Sequence, residues 1–161
     1  MQGAACRVQR AGCRVQRAKC RVLGTGIGSP IWVGVRRYQD LLAWQLADEL
    51  KKKVYELVDH SPARKDFRFC DQIKDSASSA PANIAEGFGC YYHKQFARYV
   101  RIGRASLHET HNHLGDGVDR RHWTQQQAVP LQDLADRAVA ASTGLMSYLA
   151  RTEAPTRYRK R

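Results

Sequence analysis

The chain has 161 residues, with 27 Lys and Arg against 15 Asp and Glu, a formal net charge of +12. That length suits one domain able to bury roughly two-thirds of its unfolded surface, and no apolar run approaches the roughly 18 residues of a membrane span. The charge excess points first to nucleic acid, but it is unevenly placed. Residues 1–37 hold eight basic residues and no acid, residues 153–161 hold four and Glu153, and residues 38–152 hold fifteen basic and fourteen acidic. The part that reads as folded is close to neutral, and the basicity belongs to the two ends.

The first segment is a tandem heptapeptide: Cys6-Arg7-Val8-Gln9-Arg10-Ala11-Gly12, Cys13-Arg14-Val15-Gln16-Arg17-Ala18-Lys19, then Cys20-Arg21-Val22. Its apolar positions do not alternate three and four apart, so it is no coiled coil. It lacks the continuous apolar core of a secretory signal, and its Arg-rich, acid-free composition has only a loose likeness to an organelle transit peptide. A short tandem DNA repeat read through in frame yields such a pattern. The expectation is a disordered, non-native extension, with the true start near Val33–Tyr38 and a flexible join at Gly24, Gly26, Gly28 and Pro30. The glycines there make no phosphate loop, for the Lys-Ser/Thr ending is missing. Five cysteines, an odd count without CxxC spacing, exclude a disulfide framework and suit a reducing, cytoplasmic setting. Cys70 reads as a small core residue and Cys90 as a loop thiol.

From Tyr38 the periodicity is helical. The first helix is predicted from a cap at Asp40 to about His60, with Ala43, Leu46, Ala47, Leu50, Val54, Leu57 and Val58 inward, stopped by Ser61-Pro62. The second runs from about Asp66 to Phe88, its apolar face marked by Cys70, Ile73, Ala77, Ala80, Ile84 and Phe88. Pro81 interrupts that face and predicts a bend, and Gly87 and Gly89 predict a left-handed cap. The third begins near Tyr92 with Phe96, Val100, Gly103, Leu107 and Leu114 inward and ends between Gly115 and Arg121. Gly103 costs about 1 kcal/mol against alanine and predicts a close helix contact. The fourth follows a cap at Thr124, shows Leu131, Leu134, Ala138, Leu145 and Leu149, and stops before Pro155. Four amphipathic helices with short connections make an all-α, up-down-up-down four-helix bundle.

Gln72, Ala77, Ser79, Pro81-Ala82-Asn83-Ile84-Ala85-Glu86-Gly87, Phe96 and Ala105-Ser106-Leu107-His108-Glu109-Thr110, with Tyr38-Gln39-Asp40-Leu41-Leu42-Ala43-Trp44 before them, resemble the four-helix-bundle proteins encoded in 23S rRNA intervening sequences. The resemblance covers about residues 38–150. It implies a compact subunit assembling as a ring-like homopentamer. It also implies kinship with the accessory variability protein of diversity-generating retroelements, a basic barrel that binds nucleic acid and a reverse transcriptase. No activity is established for the intervening-sequence proteins. Cys90 stands where the family commonly has arginine.

Candidate chemistry is sparse. Lys94, Arg98 and Arg101 fall within about 60° on the third helix, with Arg104 on the adjoining edge. This stripe is either a nucleic-acid surface, repeated around a ring, or a solvated face. His108, His111 and His113 point apart, and neither Glu86 nor Glu109 has a histidine three residues on, so no metal is expected. Glu86 and Glu109 either meet as an acid–base pair or join Asn83 and Ser106 in a buried polar network that fixes register and assembly. Trp44, Tyr55 and Tyr99, at the margins of their apolar faces, are candidates for a subunit interface. The favoured reading is a non-catalytic oligomeric scaffold or adaptor whose partners are copies of itself. The alternatives are an RNA- or DNA-binding accessory acting with a nucleic-acid enzyme and, more weakly, a carboxylate-based enzyme. Nothing points to a cofactor, a small-molecule substrate or a membrane.

Overall fold

In the computed structural model, residues 35–90 and 92–152 are described; the tandem repeat and the basic tail after Thr152 lie outside them. A short 3-10 turn at Tyr38–Asp40 leads into α1 (Leu42–Asp59), a second such turn at Pro62–Lys65 into α2 (Phe67–Phe88), and then α3 (His93–Asp119) and α4 (Gln125–Arg151). Each of α1 and α3 packs on both α2 and α4, which closes four antiparallel helices into a bundle. Leu50, Val54, Ile73, Ile84, Val100, Leu107, Leu114 and Leu149 are essentially sealed from water in its centre, following the three- and four-residue spacing of their helices. Among the described residues there is no strand, and no helix is long and apolar enough to cross a membrane.

The helix ends show what the local chemistry decides. Asp66 caps α2 by accepting the Phe69 amide at 3.2 Å. Thr124 and Gln127 form a reciprocal capping box at the head of α4, each side chain accepting the other's backbone amide, the arrangement expected for orphan amides at a helix start. Asp40 does not cap α1. Its carboxylate pairs with Arg37 at 3.3 Å, and the helix starts after Leu41, whose side chain is buried. Burial of a leucine outweighs one capping bond, so the apolar residue sets the boundary.

One further expectation, the left-handed cap of α2, is corrected. α2 runs unbroken through Pro81, which lies buried on its inner face; because helix packing holds that stretch, loss of one backbone donor does not end it. Gly89 closes α2 with right-handed φ −72°, so no left-handed cap exists there. Gly87 lies inside the helix, where a methyl group would sit 2.6 Å from the Phe96 ring and 2.7 Å from Tyr99 Cβ. That glycine serves close approach of α3. Gly103 does the same from the other side: an added methyl would lie 2.9 Å from the Ala80 carbonyl oxygen. Gly117, a third such position, is covered by the Trp123 indole, whose Nε1 donates to the Leu114 carbonyl at 2.8 Å.

Candidate functional site

The close approach at Gly87 and Gly103 makes the α2–α3 seam narrow enough for short side chains to bridge it. Ser76, Ser79 and Asn83 recur at three- and four-residue steps on α2 and face Ser106 and Thr110, four apart on α3. The Asn83 amide donates to the Ser79 carbonyl at 2.8 Å and to Ser79 Oγ at 3.1 Å. Ser79 Oγ lies 2.9 Å from Ser106 Oγ, across the seam. One turn further on, the buried Thr110 hydroxyl donates to the Ser106 carbonyl at 2.8 Å and lies 3.1 Å from Ser76 Oγ. Neutral hydroxyls suit this position because each finds a partner, whereas an unpaired buried polar group costs about 1–3 kcal/mol.

Asn83 and Ser106 thus stand in one polar network, but Glu86 and Glu109 do not belong to it. Both are exposed, in keeping with the cost of drying an ionised carboxylate. The Glu86 carboxylate faces the Tyr99 phenol of α3 and raises it above its ordinary pKa. Glu109 sits at the rim of an open groove of about 320 Å³ that it lines with Gln72, Asp75, Ser76, Ser79 and Ser106. In an antiparallel pair where Ala80 meets Gly103, Glu86 lies near Tyr99 and Glu109 near Ser76, about 15 Å apart along α2 at 1.5 Å per residue. The two carboxylates therefore do not meet as an acid–base pair. Among the described residues no serine or cysteine is hydrogen-bonded to a histidine, lysine or carboxylate side chain.

Lys94, Arg98 and Arg101 are exposed along α3, and none of them is ion-paired. Arg104 differs: it is half-buried and donates to Thr143 Oγ1 of α4 at 3.3 Å. The stripe occupies the end of the bundle where the described chain begins, at Val35, and where it leaves α4. There His93 Nδ1 lies 3.1 Å from the Thr152 carbonyl and 3.0 Å from its hydroxyl.

The remaining candidates are placed apart. His108 is exposed, His111 lies 3.9 Å from Asp136, and His113 stands edge-on to Phe69 with Nε2 3.8 Å from Glu109. No group of three or more His, Cys, Asp or Glu among the described residues can hold a metal ion. Trp44 packs edge-on to Tyr38 at 5.2 Å, and the Tyr55 ring lies under Lys74, so these aromatics have contacts inside the subunit. Cys70 is buried and donates to the Ala63 carbonyl at 3.0 Å, and desolvation pushes its thiol pKa up.

Sequence reasoning missed Ser76 and Thr110 as bridging partners. Their signal was legible: hydroxyl residues at helical spacing opposite Gly103. It also missed the cluster at the far end of the bundle. There Asp66 accepts from Arg120 and His122 at 3.4 Å each, and Phe69 is ringed by His122 and Trp123. No spacing rule links residues more than fifty positions apart.

Residues 39–144 match the model of a family described as 23S rRNA-intervening sequence protein. No curated protein matches the chain.

Proposed function

The chain belongs to the 23S rRNA-intervening sequence protein family, and from that premise we propose that it is a non-catalytic homo-oligomeric scaffold or adaptor, assembled as a pentamer. The observation that carries this reading is the role of the central Asn83–Gly87 segment. Asn83 bonds the serine that reaches Ser106, Glu86 faces Tyr99, and Gly87 admits Phe96. All three bind α3 to α2, and none addresses a reacting group. Exposed apolar surface at Ile102 (42%) and Leu42 (62%) supplies area for a second copy to cover. Light scattering of the full chain at micromolar concentration tests the assembly. A mass of five chains is expected, reduced by Ile102→Glu, and a monomer at every concentration refutes it.

A second reading, nucleic-acid binding, has its own support. Lys94, Arg98 and Arg101 are exposed without carboxylate partners at the end of the bundle where the described residues begin and end. Arg104, engaged with Thr143, contributes less. RNA affinity measured across salt is expected to fall steeply, and Lys94, Arg98 and Arg101→Ala together are expected to lower the log–log slope by about 2. An unchanged slope would assign the binding to the terminal charge alone. The carboxylate-enzyme alternative has no support from the separated Glu86 and Glu109.

A further inference from the structure

At the end of the bundle opposite the α3 stripe, the α1–α2 and α3–α4 connections come together on Asp66. This carboxylate caps α2 and accepts from Arg120 Nη1 and His122 Nε2 at 3.4 Å each. Arg120 also bonds Asp116 at 2.9 Å and lies over the Phe69 ring. Asp66, Asp116 and Arg120 are thereby occupied with one another. Four exposed cations at this end, Arg64, Lys65, Arg68 and Arg121, take part in no ion pair, against three exposed acids in the same condition, Glu56, Asp71 and Asp119.

In the same stretch of chain, between Lys65 and Arg68 in sequence, stands Phe67, 77% exposed, the most exposed of the large apolar side chains described. Its neighbour Phe69 is 1% exposed and takes all the packing with His113, His122 and Trp123. Phe67 therefore has no part in closing this end of the bundle. Arg121 brings a cation from the α3–α4 connection. It holds φ +61°, the left-handed position after a helix that usually goes to glycine or asparagine. The Arg121 and His122 amides donate to the Val118 and Gly117 carbonyls at 2.9 and 2.8 Å, the paired bonds that end a helix in this way, and the turn leaves the Arg121 side chain exposed.

We propose that this end of the bundle binds single-stranded nucleic acid, with Phe67 stacking on a base and Arg64, Lys65, Arg68 and Arg121 holding the adjoining phosphates. A lone ring flanked in sequence by cations suits an unpaired base, because bases within a duplex are already stacked and present no face. Phe67 lies about 30 Å from the start of α3, at 1.5 Å per residue along α2. This site is accordingly separate from the Lys94, Arg98 and Arg101 stripe and does not depend on the assembly proposed above.

The test uses the full chain and a short fluorescent oligouridylate, with anisotropy measured across salt and double-stranded competitor present to suppress contacts of the basic termini. Phe67→Ala is expected to weaken binding about tenfold, within the range of one base–aromatic stack, and Phe67→Trp to restore it. Arg64, Lys65 and Arg68→Ala together are expected to lower the log–log salt slope by about 2. Phe67 is exposed, so thermal melts of its variants should match the parent. Several results overturn the proposal. One is Phe67→Ala binding within twofold of the parent. Another is loss confined to the Lys94, Arg98 and Arg101 variant. A third is a Phe67→Ala defect on phosphatidylserine vesicles but not on RNA. The last is a fall in oligomer mass with Phe67→Ala, which would make the ring a subunit contact.

Discussion

Gly103→Ala isolates the claim that α2 and α3 are held at glycine distance. The new methyl would lie 2.9 Å from the Ala80 carbonyl oxygen, 3.6 Å from Ala80 Cα and 3.5 Å from Asn83 Cβ. Two of these neighbours are helix backbone, which cannot rotate away. Restoring ordinary contact moves the helices apart by about half an ångström, which stretches the Ser79–Ser106 bond at 2.9 Å and the Thr110–Ser76 contact at 3.1 Å. Overpacking costs about 1–3 kcal/mol and each weakened hydrogen bond about 0.5–1.5, against a gain of about 1 for replacing glycine in a helix. The net expectation is a loss of about 1–3 kcal/mol, or roughly 4 °C in Tm per kcal/mol for a domain of this size. Gly144→Ala is the matched control: the space around that α4 glycine is open to 4 Å, so alanine there should stabilise by up to about 1 kcal/mol. Urea denaturation of both variants is the assay. If Gly103→Ala stabilises as much as Gly144→Ala, the account of the seam is wrong.

The other expectations concern the hydroxyl bridges, an acid-sensitive carboxylate and the thiols. Thr110→Val keeps the shape but loses the hydroxyl that lies against Ser106 and Ser76; urea midpoints should report a loss of about 1 kcal/mol, and an unchanged midpoint would remove Thr110 from the network. For Asp48, burial works against the charge, but bonds from Lys51 at 2.6 Å and Lys52 at 2.7 Å prevail and hold the carboxyl below its usual pKa. Its stabilising share is then present above the unfolded carboxylate pKa and lost as pH falls through the folded value, so Asp48→Asn should narrow the difference between urea midpoints at about pH 7 and about pH 3. An undiminished difference would show that Asp48 carries none of it. Cys70, buried with its thiol pKa raised, should label with iodoacetamide only on unfolding. Half-exposed Cys90 should label in the native state, and peptide mapping separates the two.

Helix number, order and inward faces were legible in the chain because a 3.6-residue period needs only local sequence to declare itself. Ser61-Pro62, Asp66 and Thr124 marked helix boundaries by their own chemistry, and Gly103 announced a close contact without naming what it touches. The contacts between helices were decided only in three dimensions. Gly87 looked like a helix terminator and is instead a packing position, because Phe96 and Tyr99 arrive from another helix. Glu86 and Glu109 looked like partners on neighbouring helices, yet antiparallel register sets them about three turns apart. Asp66 read as a cap, and the fold also made it the anchor of Arg120 and His122. Local spacing fixes which face a residue occupies, but the register of one helix against the next depends on the summed packing of every side chain between them, and no single stretch of the chain contains that sum.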